Sequence, residues 1–165
     1  MSGIPGMCII DANIIFDFVA GGILEALFRL EYKFVSTDFV IYEIKSIEQS
    51  ELERYGLEVV ELPEAMILEM YRVRSENRAL SIEDLSLLVF AKYNPDSVLV
   101  SGDGPLRRKA QQEKIEFHGT LWLLDQIVVH GIIQAAEAAT ALQLMEERRL
   151  PPDEYRDRLR QWRAD

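Results

Sequence analysis

Short apolar runs alternate along the chain with stretches in which apolar residues recur every three or four positions. MCII (residues 7–10) is wholly apolar and stops at Asp11. IIFDFVAGGILEALFRL, which follows, has mostly helical spacing, and Gly21 and Gly22 either break that helix or separate two. KFVST (33–37) is a second apolar segment. Behind it, DFVIYEIKSIEQ sets Phe39, Val40, Ile44 and Ile47 near helical spacing, with Thr37 or Asp38 as N-cap. LEVVEL (57–62), β-branched at Val59 and Val60, predicts a third strand, and Pro63 opens a helix through EAMILEMYRVRSENR.

The second half repeats the alternation. Ala79 to Lys92 predict a helix, with Ser81 and Asp84 in a capping-box pattern before its apolar run. SVLVS (97–101) predicts a fourth, central strand, and Gly102–Pro105 a tight turn into helix LRRKAQQEK. IEFHG (115–119) suits a fifth strand. Three helices close the chain: GTLWLLDQIVV, AAEAATALQLMEERR as far as Arg149, and DEYRDRLRQWR, with Pro151 and Pro152 between the last two. Strands alternating with helices predict an α/β fold: three layers, α/β/α, around a parallel sheet of four to five strands, with extra C-terminal helices. Such sheets bind ligands beyond the carboxyl ends of their strands. No repeat or linker marks a second domain. The expected division is a main unit over residues 1–133 and a helical extension over 134–165. That extension either belongs to the same compact unit or reaches a partner.

Composition narrows the function. The 165 residues, 48% hydrophobic and 28% charged, suit one globular domain. The formal net charge of −10 argues against gripping nucleic acid by bulk electrostatics. It leaves a nuclease open, because metal ions invert the potential of an acidic site. Cations cluster at Arg107, Arg108 and Lys109, and in the tail at Arg148, Arg149, Arg156, Arg158, Arg160 and Arg163. No apolar run reaches the ~18 residues a membrane span needs. The N-terminus lacks a basic stretch before its apolar residues, and Cys8, the single cysteine, sits in an apolar strand as core. The expected setting is the cytoplasm, away from membranes.

Four acids then stand out: Asp11 in CIIDANIIF, Glu43 in STDFVIYEIKS, Asp84 in LSIEDLSLLVFAK and Asp103 in VLVSGDGPLRRKA. Each lies at a strand end or in the first turns of a predicted helix, so an α/β sheet brings them toward one edge. Carboxylates crowded there repel unless a cation sits among them, and hard oxygen ligands select Mg²⁺ or Mn²⁺ over Zn²⁺. That chemistry points to metal-assisted phosphodiester hydrolysis. Each acid also has a plain structural use: Asp11 as a helix cap, Glu43 as an ordinary first-turn glutamate, Asp84 in the capping box, Asp103 in the turn. Asn13 and Ser101 are candidates to orient the carboxylates. Arg107 and Arg108, just after Asp103, are candidates to bind a flanking phosphate. Asp17, two turns beyond Asp11, is expected to face solvent or a partner. His118 and His130 have no Cys or His at ligand spacing, and no Gly-rich phosphate loop is present.

Asp-x-Asn after the first strand, Glu on the next helix, Ser-x-x-Asp opening a later helix and Ser-Gly-Asp after a strand together resemble the PIN domain, over about residues 7–128. The resemblance implies a Mg²⁺- or Mn²⁺-dependent nuclease cutting single-stranded RNA, in many members the toxin of a toxin–antitoxin pair. It also implies that Asp11, Glu43, Asp84 and Asp103 take the acidic positions and that Asn13 and Ser101 take the polar ones. Asp11 is then the central ligand, completed by Asp84 and Asp103, with Glu43 binding directly or through water. Downstream, His118-Gly-Thr-Leu-Trp-Leu-Leu and two further helices resemble a branch of predicted nucleic-acid-binding PIN proteins, with Trp122 where that branch's motif has glycine.

Partners expected on this basis are single-stranded RNA, an antitoxin or other protein, and a second copy in a homodimer. The last helix carries a small apolar stripe, Tyr155, Leu159 and Trp162. It must pack on the chain's own core, a second subunit or a partner, and Asp153 to Arg163 is expected to be an interaction element rather than part of the nuclease core. The alternative function is a catalytically weak PIN-fold module that binds nucleic acid or protein. A phosphohydrolase of another doubly wound fold, using an aspartate nucleophile, typically wants Asp-x-Asp after the first strand, where this chain has Asn13.

Overall fold

In the computed structural model, which describes residues 6–145 and 150–163, each apolar segment becomes a strand of one sheet. The strands are β1 (Met7–Ile10), β2 (Lys33–Thr37), β3 (Glu58–Val60), β4 (Val98–Val100) and β5 (Phe117–His118). Their order is β3-β2-β1-β4-β5 and every pairing is parallel. Cys8, Ile9 and Ile10 are all fully buried although neighbours along a strand face opposite ways, so both faces of the sheet are covered. Order reverses between β1 and β4, and their carboxyl ends, Asp11 and Ser101–Asp103, flank that switch.

Helices α1 (Ala12–Ala20) and α2 (Leu24–Phe28) connect β1 to β2. The break between them is the expected glycine pair: Gly22 takes a φ of +71°, which only glycine adopts readily. Gly21 has a different reason, since a Cβ there would lie 2.9 Å from Met145 Cε and 3.2 Å from the Ala141 carbonyl oxygen. The helix expected from residue 38 to 49 is a correction. It splits into α3 (Asp38–Tyr42) and α4 (Gln49–Tyr55). Glu43 and Ile44 donate to the carbonyls of Val40 and Ile41, tightening and ending α3. Only Leu52 of α4 is buried, too sparse an apolar pattern to announce a helix.

Helices α5 (Glu64–Glu76) and α6 (Ile82–Lys92) cross from β3 to β4. Leu85 and Leu87–Val89 are all buried, because α6 packs on β1, β2 and β4 and is touched by α3, α5 and α7 (Gly104–Gln112). A second group of helices packs together and shares the same core cluster as the strands: α1, α2, α8 (Thr120–Val129) and α9 (Ala135–Leu144). The helix expected to reach Arg149 ends at Leu144; Arg148 and Arg149 lie outside the described residues.

Pro152 opens the last helix, α10 (Pro152–Arg163), which packs on α9. The expected interaction element is a correction: its stripe lands on the chain's own core, where Tyr155 and Trp162 are buried and Leu159 packs against the same cluster, because the α9 face it covers is apolar. Arg158 adds a two-pronged ion pair to Asp125 of α8, Nε to Oδ1 at 3.0 Å and Nη2 to Oδ2 at 2.8 Å. Among the described residues no helix is long and apolar enough to cross a membrane.

Candidate functional site

Asp11 ends β1 and caps α1. Its backbone N–H donates to the Val100 carbonyl at 3.1 Å, extending the β1–β4 pairing one residue past the strand. One carboxylate oxygen accepts from the Ala12 N–H at 2.6 Å and the other from the Ser101 hydroxyl at 2.7 Å. Ser101 is fully buried, and its oxygen in turn accepts from the Asp103 N–H at 3.1 Å. One hydroxyl thus ties the end of β1 to the turn after β4. Asp103 caps α7 by accepting from the Leu106 N–H at 2.9 Å.

Asp84 arrives from the other side of the chain, at the start of α6. The capping box forms as expected: Ser81 N–H donates to Asp84 at 3.3 Å and Asp84 N–H donates to the Ser81 hydroxyl at 3.1 Å. The buried hydroxyls of Ser86 and Thr37 hydrogen-bond at 2.7 Å, and Thr37 caps α3. That buried pair sets Glu43, on the residue after α3, relative to Asp84. Glu43 therefore lies at the end of its helix rather than in the first turns, because α3 is a single short coil.

Asp11, Glu43, Asp84 and Asp103 line one cavity of about 600 Å³ with Asn13. Glu83, read from sequence only as part of the capping stretch, lines it too. Sequence reasoning also passed over Tyr42 and Lys45, at the same cavity, where the Lys45 ammonium sits 4.1 Å from the tyrosine ring centre. Nothing in the local pattern singles them out.

The acids feel one another. Burial pushes the Asp84 carboxyl up from 3.8 to about 6, with the charges of Asp103 and Asp11 adding to it. Burial also raises Asp11, helped by Asp103 and opposed by the hydrogen bonds from Ser101 and Ala12. Glu43 is raised by burial, by the charge and hydrogen bond of Glu83, and by Asp11 and Asp84. An all-oxygen donor set whose members repel suits a hard divalent cation. Among the described residues no three His, Cys, Asp or Glu side chains converge closely enough to hold an ion where they stand.

A second cavity, about 740 Å³, adjoins the first and shares Asn13 and Asp103 with it. Arg107 lines it, with its guanidinium 5.3 Å from the Phe117 ring centre. Arg108 does not; it lines a separate hollow with Glu76, Pro105 and Lys109. Asp17 is a further correction. It is buried, and Thr120 at the start of α8 donates to it at 2.7 Å, so α8 rather than solvent faces it. His118 ends β5 and stacks flat on Trp122, with ring centres 4.2 Å apart and planes 9° apart.

A family model described as DUF3368: PIN domain matches residues 7–164, nearly the whole chain and well beyond the last strand. No curated protein matches. Among solved structures, the chain is similar to a PilT N-terminus domain protein from the hyperthermophilic archaeon Sulfolobus solfataricus P2. The TM-score is 0.49 and the identity 15%, over 74% of this chain and 93% of that one.

Proposed function

The chain belongs to the PIN-domain family, whose members are commonly nucleases, and from that premise we propose that it is a Mg²⁺- or Mn²⁺-dependent endoribonuclease hydrolysing single-stranded RNA. One observation carries the reading. Asp11, Glu43, Asp84 and Asp103 line a single cavity, where burial and neighbouring charge raise the proton affinity of Asp11, Glu43 and Asp84. These four residues would hold the cation, which in such sites offsets the charge of the reacting phosphate. Ser101 holds Asp11 by the hydroxyl and Asp103 by its N–H, fixing the two strand-end acids relative to each other. Asn13 lies at the junction of the two cavities, where it can contact either the carboxylates or the strand.

Tyr42, 79% exposed beside Lys45, favours an unpaired strand, because an aromatic face with a neighbouring cation stacks splayed bases and holds their phosphates. The reading extends to a cytoplasmic toxin of a toxin–antitoxin pair, acting as a homodimer. Leu68 and Tyr71, exposed on α5, supply apolar surface for a protein partner.

A catalytically weak binding module is the second reading. It is favoured by the spacing of the acids, no three of which among the described residues converge closely enough to hold an ion. Cleavage of labelled single-stranded RNA with Mn²⁺ separates the two. Activity should vanish with EDTA and fall about 10²-fold or more in Asp103→Asn, the scale on which one preorganised electrostatic group acts. Full activity in a folded Asp103→Asn variant removes the nuclease assignment, and faster cutting of duplex DNA removes the RNA assignment.

A further inference from the structure

We infer that the larger cavity beside the acidic one is a subsite for the nucleotide next to the scissile phosphate, with Arg107 holding its phosphate and the cavity's aromatic rings flanking its base. The inference rests on the nuclease reading for its direction, but its geometry is independent of the carboxylates. A cavity of about 740 Å³ is of the size that takes a small ligand, and it opens onto the acid cavity at Asn13 and Asp103. A strand seated at the acids must continue somewhere, and this is the adjoining space.

The lining differs in kind from that of the acid cavity. Arg107 reaches from α7 across the end of β5. Its guanidinium lies over the Phe117 ring, with Nη2 3.7 Å from where a side chain on Gly119 would begin. The missing side chain at 119 leaves the cavity floor open beside the guanidinium. His118 and Trp122 stack in parallel, so an aromatic surface is already ordered before any base arrives. Acids line this cavity as well: Asp125 is paired with Arg158, Asp17 accepts from the Thr120 hydroxyl, and Glu154 and Asp103 stand at its edge, so Arg107 is the cation placed to offset them for a phosphate. A guanidinium beside ordered aromatic rings is the chemistry that recognises a nucleotide, with the fork of N–H groups on phosphate oxygens.

The test uses the full chain and a fluorescently labelled single-stranded oligoribonucleotide, read by anisotropy in EDTA so that nothing is cut. Arg107→Ala should bind about tenfold more weakly, the loss expected for one charged hydrogen bond. Its log–log salt slope should fall by about 0.7, as for one lost phosphate contact on a single strand. Arg107→Lys should restore the slope, and Arg72→Ala, exposed on α5 and lining neither cavity, should bind like the unmodified protein. His118→Ala should weaken binding with the salt slope unchanged. In parallel cleavage with Mn²⁺, Arg107→Ala should raise KM and leave kcat in place. Unchanged affinity and slope in Arg107→Ala overturn the subsite, while cleavage by the unmodified chain then leaves the nuclease reading standing. Loss of binding in Arg107→Ala without cleavage by any chain supports the subsite and overturns the nuclease. An unmodified chain that neither binds nor cuts RNA overturns both.

Discussion

The two cavities that meet at Asp103 and Asn13 are built in opposite ways. The acid cavity gathers five carboxylates with Lys45, each acid placed by the end of a strand or helix. Its neighbour draws mostly on side chains carried within or beyond their elements' packed faces: Arg107 from α7, His118 from β5, Trp122 from α8 and Arg158 from α10. Charge is concentrated where backbone geometry alone can position it. Shape and stacking come from tertiary packing, and the last helix is part of that packing. Caps set how each acid is aimed, while the packing of the elements that carry them sets the distances between them.

That contrast is easiest to break at Trp162. Its side chain is 3% exposed, so Trp162→Ala should cost about 3–5 kcal/mol, as truncation of large buried aromatics does. Urea unfolding would read it. A loss under about 1 kcal/mol would make α10 a detachable arm and leave the second cavity without a firm wall. Next in size is Ser101→Ala, which removes the hydroxyl shared by Asp11 and the Asp103 N–H. It should weaken Mn²⁺ binding about 10–100-fold, as loss of a ligand-orienting partner does. Calorimetry should show this while RNA binding in EDTA stays the same, and an unchanged Mn²⁺ affinity would mean that Ser101 does not orient the acids.

The smallest effect is in pH. The Asp84 carboxyl is held near about 6 in the fold against an ordinary 3.8. Between those values the folded chain keeps a proton that the unfolded chain has released, so stability falls as pH rises through that window and levels off above it. Asp11 and Glu43, shifted the same way, add to the fall. Melting temperatures in EDTA between pH 4 and pH 7 should show this slope, and Asp84→Asn should flatten it. A profile that rises over the same interval would mean that the acids do not repel as the geometry implies.

How legible each cavity was in the sequence follows from the same contrast. β1, β2 and β4 announced themselves as apolar runs because the middle of a parallel sheet is buried on both faces, whereas the edge strands β3 and β5, only partly buried, showed in mixed segments. Asp11, Asp84 and Asp103 were legible because each ends or caps an element. Glu43 was found but misplaced on its helix, since Ile44 and Ile47 continue a helical spacing that the backbone does not follow. Asp17 was read as facing outward because its partner, Thr120, lies 103 residues away. The stripe on the last helix was plain, but not what it packs on. Tyr42, Trp122 and Arg158 acquire roles only from neighbours that no local pattern names.

Gly21 has a consequence for mechanics. Asp11 sits at one end of α1 and Gly21 at the other, and nine helical residues between them make a rod roughly 13 Å long. Because no side chain stands at position 21, the rod's far end rests directly against α9, with the Ala141 carbonyl where a Cβ would collide. Met145, itself buried, and that carbonyl at 3.2 Å would each have to give by a few tenths of an ångström. An alanine at 21 would therefore act as a shim under a lever. It would push α1 away from the C-terminal layer and transmit the displacement along the rod to the carboxylate at its tip, which never touches the substituted residue.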